Sequence, residues 1–123
     1  MDKRIYKVTS RELWTEAERA GVFQGALIDL QDGFIHFSTA MQVVETVAKH
    51  FAGQRELLLI EVDATRLGDA LRWEVSRGGD RFPHLYEELR LDAVISVVEL
   101  PLGSSGNHVF PANFTSNSMG HDV

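Results

Sequence analysis

Leu57-Leu58-Leu59-Ile60-Glu61-Val62-Asp63 is the stretch that most limits what this chain can become. Four aliphatic residues in a row, then Val62, are the pattern of a strand covered on both faces. Such a strand takes a central place with other elements layered on each side. A length of 123 residues supplies those layers, being that of one domain able to bury one core. Other strands can be read around it. Arg4 to Val8 alternates, with Ile5 and Lys7 on one side and Tyr6 and Val8 on the other. Leu71 to Val75 sets Leu71, Trp73 and Val75 against Arg72 and Glu74. Asp92 to Leu100 is the last strand, stopped by Pro101.

Two sizeable helices have start signals. Thr9-Ser10-Arg11-Glu12 has capping-box spacing, followed by Leu13, Trp14, Ala17 and Ala20 on one face and Gly21 as a stop. Thr39 and Gln42 repeat that spacing, followed by Met41, Val44, Val47, Ala48 and Phe51 at the helical period and Gly53 as the stop. Between these helices, Val22 to Gln31 reads as a loop, and Asp32-Gly33 as a turn into a short strand over Phe34-Ile35-His36-Phe37. Asp63 opens a single helical turn. Ser76 to Arg81, with two adjacent glycines, reads as a flexible loop. Pro83 makes Phe82 to Tyr86 an ordered loop or strand edge, and Glu87 to Leu91 suits one helical turn. The resulting class is α+β: about five strands, antiparallel or mixed, with two main helices packed on them. Residues 1–102 read as a single α+β domain. Residues 103–123, rich in Gly, Ser and Asn, read as a flexible or loosely docked tail in which Val109-Phe110 can dock.

Composition removes several functions. Net charge is −6 with both signs interspersed, so general nucleic-acid binding lacks its basic face, although a local anion site needs only a few donors. No apolar run has membrane-spanning length, and the amino terminus lacks a secretory pattern. Cysteine is absent, which excludes disulfides and thiolate metal sites. A cytoplasmic location is the expectation. Five histidines occur without the close spacing of metal ligands, so no metal site is assigned. Gly-rich phosphate loops of the P-loop or Rossmann kind are also missing.

His36 is the leading candidate for chemistry, at the point where a strand ends and a helix begins, where backbone donors are free. Alone it reads as a satisfied core imidazole. With His84, in a comparably unusual setting, it forms a candidate catalytic pair for polarising a hydroxyl or shuttling a proton near neutral pH. Ser38 is a candidate hydrogen-bond donor to a ligand, no Ser/His/Asp arrangement being legible. Gln42 has a complete explanation as a cap and is a further ligand-binding candidate. Lys7 is a candidate ligand-facing cation, or else a solvated edge-strand charge. Tyr86 can stack on a planar ligand or line a rim. Glu74 is either a solvated strand carboxylate or one facing a cleft, where it would stabilise positive charge. His50, in the last turn of its helix, reads as structural.

Trp14-Thr15-Glu16-Ala17, Gly21, Asp32-Gly33-Phe34-Ile35-His36-Phe37-Ser38-Thr39 with Gln42, Arg72-Trp73-Glu74 and Phe82-Pro83-His84-Leu85-Tyr86 together resemble the bacterial domain-of-unknown-function 952 family, from about Arg4 to Pro101. That family's fold is grouped with the ADP-ribosyltransferases. The resemblance implies an ADP-ribosyltransferase-like split, mixed β-sheet core with a cleft that in active relatives holds NAD. It implies a glycosyltransferase acting on NAD or an ADP-ribose or phosphoribose ligand. The alternative is an inactive ligand-binding or protein-interaction module. Two departures stand out. Lys7 occupies the place where many transferases carry a ribose-gripping His or Arg, and Glu87 follows the Pro-His-Leu-Tyr motif where the family usually has Gly. No Glu or Gln matches the third catalytic position.

Overall fold

In a computed structural model describing residues 3–111, the apolar run forms β4 (Leu57–Asp63), the middle strand of a sheet ordered β1-β4-β8. β1 (Arg4–Ser10) and β8 (Val94–Glu99) flank it, both antiparallel, with a register shift between Glu61 and Val62 on the β8 side. Burial on two faces shows in two clusters. Ile5, Leu58, Ile60 and Val62 face one that includes Trp14, Phe23, Ile35, Leu85 and Leu89. Tyr6, Val8, Leu57 and Leu59 face another with Val43, Val47 and Leu100.

β1 runs into α1 (Arg11–Ala20). The cap is Ser10, whose hydroxyl accepts from the Leu13 N–H, one residue later than the Thr9 box predicts. Thr9 is still in register with Leu58 in the sheet and is buried there. Trp14 and Ala17 bury the inner face, Trp14 against Phe23 with ring centroids 5.6 Å apart, while Leu13 and Ala20 are exposed. Gly21 closes the helix in the left-handed region at φ 88°.

Val22 to Gln31 is not a loop. It holds β2 (Val22–Phe23), paired with β7 (Leu89–Arg90), and then α2 (Leu27–Asp32). α2 inverts the usual pattern: Asp29 is its buried residue, whereas Leu27, Ile28 and Leu30 are 73%, 52% and 62% exposed. A period-based reading looks for the opposite face. The turn of Glu87–Leu91 is likewise β7, followed by a 3₁₀ turn at Leu91–Ala93.

β3 (Ile35–His36), β6 (Arg81–Leu85) and β5 (Leu71–Val75) form a third sheet, ordered β3-β6-β5. Phe82 to Leu85 therefore lies in a middle strand, not at an edge. Pro83 is tolerated because pairing with β3 covers only Leu85 and His84, and the Pro83 carbonyl accepts from the Phe37 N–H. On β5 Leu71 packs against the first cluster, while Trp73 and Val75, on the same side of the alternation, are exposed together with Arg72.

The segment after His36 passes from one sheet to the other. Phe37 donates to Pro83 in the third sheet; Ser38 then exchanges two backbone hydrogen bonds with Tyr6 of β1, 2.8 and 2.9 Å long. Thr39 caps α3 (Ala40–His50) with the full capping box, its hydroxyl accepting from the Gln42 N–H and the Gln42 side chain accepting from the Thr39 N–H. α3 packs through Val43 and Val47; Met41, Val44 and Ala48 of the expected stripe point outward. Every ladder among the described strands is antiparallel, giving an α+β protein with three helices on antiparallel sheets. After β8, Leu102 bridges to His108, whose Nε2 lies 2.7 Å from the Gln54 carbonyl, and Phe110 packs on the second cluster. The rest of the expected tail, residues 112–123, lies outside the described residues. Among those residues no helix is long and apolar enough to cross a membrane.

Candidate functional site

Where the chain changes sheets, β1, α2, β3, α3 and β6 surround a cleft of about 440 Å³. His36 and His84 both line it. They are direct cross-strand partners on β3 and β6, which brings their ring centroids to 5.5 Å in an edge-on arrangement. Phe34 backs the pair, stacked on His84 at 4.1 Å and tilted against His36 at 4.6 Å. Among the described residues no group of three or more His, Cys, Asp or Glu is placed to hold a metal ion.

Each imidazole is held by a carboxylate. The Nδ1 of His36 is 2.6 Å from Asp29 Oδ1, and that of His84 is 2.8 Å from Glu74 Oε1. A carboxylate only accepts, so each contact fixes the proton on Nδ1 and turns Nε2 to the other side of the ring. Glu74 also accepts from the Tyr86 hydroxyl at 2.7 Å, and the Arg72 guanidinium lies 5.0 Å above the Tyr86 ring. The His84 hydrogen bond and then Tyr86 hold the Glu74 carboxyl below its ordinary range, and Glu74 in turn pushes the Tyr86 phenol up.

Asp29 is the hub. It is 2% exposed and accepts from four donors: the His36 ring, the His36 N–H at 3.1 Å, the Ala26 N–H at 2.7 Å and Lys7 Nζ, which is 2.8 Å from Oδ2. Burial alone would raise its pKa; His36, Lys7 and Ala26 outweigh that and hold it at about 2. Burial pushes the Lys7 ammonium down from its ordinary value, with Asp29 opposing. Gly25 is required for the approach. Its φ is 122°, and a Cβ there would stand 2.8 Å from the Asp29 Cβ.

Because the folded pKa of Asp29 lies below the unfolded value near 3.9, its contribution is complete above about pH 5 and fades as pH falls through 2. The full gap corresponds to about 2–3 kcal/mol, of which about 2 kcal/mol is lost by about pH 2.5. Chemical denaturation at about pH 6 and about pH 2.5 should show wild type losing that much more than Asp29→Asn. Equal losses would remove Asp29 from the acid-labile set.

Of the residues expected to form a site, Lys7, Ser38, His36 and His84 line the cleft. Lys7 is no solvated edge charge: it sits mid-strand, 6% exposed and paired. The Ser38 hydroxyl is 3.3 Å from the Thr46 hydroxyl. Glu74 and Tyr86 stand behind His84. Gln42 is not drawn in: its amide caps Thr39 at one end and donates to the Arg81 carbonyl at the other. Asp29, Asp32 and Thr46 escape a reading by pattern, and His50, read as structural, lines the cleft. The available signal for Asp29 is a lone charge inside Leu27-Ile28-Asp29-Leu30.

The whole arrangement lies within a chain that has close structural relatives. Protein CC0527 from Caulobacter crescentus, solved by X-ray crystallography, is 45% identical, with 91% of this chain and 98% of that chain covered and a TM-score of 0.86. Its solution NMR structure is 48% identical, covering 85% and 90% of the two chains with a TM-score of 0.77. No curated protein matches. The paired histidines, with the strands and helices that carry them, fall inside residues 8–97, which match the family described as Protein of unknown function (DUF952), and the chain belongs to that family.

Proposed function

We propose that the cleft binds a ligand built on ribose and phosphate, with NAD and ADP-ribose as the representative candidates, in the manner of an ADP-ribosyltransferase-like pocket. The observation that carries this reading is the pair of carboxylate-held imidazoles facing each other in a cleft of about 440 Å³. That volume is in the range of small-molecule sites. The outward-turned imidazole Nε2 atoms and the Ser38 hydroxyl suit phosphate and ribose oxygens, and the Phe82 ring that lines the cleft with them suits a planar base.

Calorimetric titration with NAD, ADP-ribose and nicotinamide tests it. Wild type should bind at least one of the first two, and His36→Ala should bind at least about tenfold more weakly, equivalent to about 1.4 kcal/mol. Absence of binding, or equal binding by the variant, overturns the reading. A second reading, a module that binds without transferring, is favoured by one feature: Asp29, Asp32 and Glu74 are all engaged by imidazoles, leaving none of these three unpartnered to act at an anomeric carbon. Cleavage of NAD by wild type and not by His84→Ala would reject it.

A further inference from the structure

The two imidazoles are not equivalent. On His84, Nδ1 is committed to Glu74, and Nε2 has no partner among the described residues. On His36, Nδ1 meets Asp29 while Nε2 is 3.0 Å from Asp32 Oδ2. A ring lone pair facing a carboxylate oxygen at that distance would be repulsive; the contact is attractive with a proton on Nε2. With carboxylates at both ring nitrogens His36 is arranged to offer a proton from Nε2, whereas His84, held at Nδ1 alone, leaves Nε2 open to accept one. One cleft thus presents a proton donor and a proton acceptor side by side.

Resting on the ribose–phosphate reading above, we propose that this pair is an acid–base couple for transfer at a phosphodiester carrying a neighbouring ribose 2′-hydroxyl. His84 Nε2 takes the 2′-hydroxyl proton as the 2′-oxygen bonds to phosphorus. The bond from phosphorus to the leaving oxygen breaks, and that oxygen takes the Nε2 proton of His36. The products are a 2′,3′-cyclic phosphate and a free alcohol. Return of the proton from His84 to His36 resets the pair. Asp32, 42% exposed in its side chain, is the group a phosphate oxygen replaces on His36. It lies in the last turn of α2, at the helix's negative end, where a carboxylate is poorly placed. Asp29 and Glu74 are positioning residues: they hold each ring so that Nε2 does the work.

The pH dependence follows from the groups around each ring: Asp29 and Asp32 from α2 and, through Asp29, Lys7 from β1 for His36; Glu74 and Arg72 from β5 and Tyr86 for His84; and His50 from α3 across the cleft. A base that must be unprotonated and an acid that must be protonated give a bell-shaped profile.

The experiment incubates the full chain with dinucleoside monophosphates and their 2′-deoxy counterparts, with products separated by chromatography between about pH 5 and 8. Cyclic phosphate should form from the ribose substrates alone. His36→Ala should lose the alkaline limb and His84→Ala the acidic limb, each with a rate fall of about 10²–10⁴-fold. His36→Gln and His84→Gln repeat the test in variants that keep a polar side chain, with circular dichroism as the check on folding. If ADP-ribose binds and no cyclic phosphate forms, this inference falls and the binding reading stands. If no nucleotide binds, both fall. Cleavage that persists in all four variants, or that consumes the deoxy substrates, overturns the assignment of the pair.

Discussion

Asp29→Ala is expected to lower stability by about 3–5 kcal/mol, the cost of breaking a buried ion pair by removing one partner. The carboxylate meets four donors, two of them carried by the Lys7 and His36 side chains, and Lys7 is sealed in with it. Without Asp29, Lys7 must shed its proton or sit as an uncompensated charge, and the Ala26 and His36 N–H groups lose their acceptor. Equilibrium denaturation at neutral pH reads the loss directly. Combining Lys7→Met with Asp29→Asn should restore a substantial part of it, because the orphaned charge is then gone too. A loss under about 1 kcal/mol in Asp29→Ala would mean that the hub contributes geometry without contributing stability.

Leu85→Ala should cost about 2–5 kcal/mol, the range for truncating a fully buried leucine. Leu85 is fully buried and pairs with Ile35 on one side and Leu71 on the other, so it ties β3, β6 and β5 together from beneath. It is also the residue after His84. The space left by its side chain lies under the strand that aims that imidazole, so ligand affinity should fall along with the melting temperature. Leu85→Met, which nearly conserves volume, should cost under about 1.5 kcal/mol and leave affinity near wild type. Equal behaviour of the two variants would show that the third sheet does not depend on packing at this position.

Much of the frame is visible in the residues themselves. The Leu57–Ile60 run announces a middle strand because four adjacent aliphatic residues have no solvent-facing alternative. Thr39 and Gln42 announce a helix start because the box satisfies its own donors locally. What stays hidden depends on distant partners. α3 carries two apolar stripes at helical spacing, and only the presence of Tyr6, Val8, Leu57 and Leu59 selects Val43 and Val47 over Met41 and Val44. Pro83 argues against a middle strand until one sees how short its pairing with β3 is. Of the site, His36 and His84 can be nominated from sequence. Their meeting follows from a β3–β6 register that no local pattern encodes. Asp29 is hidden for a different reason: a helix that buries its acid and exposes its leucines contradicts the periodicity used to find helices.

That inversion has a thermodynamic consequence. A segment fastened by electrostatic pins, with its aliphatic side chains already wet, surrenders little oily surface when it lifts away. Release of residues 27–32 should therefore carry almost no heat-capacity change, in contrast to collapse of the body beneath. Acid should free it sooner than warmth does, and amide exchange along those six positions would register the difference.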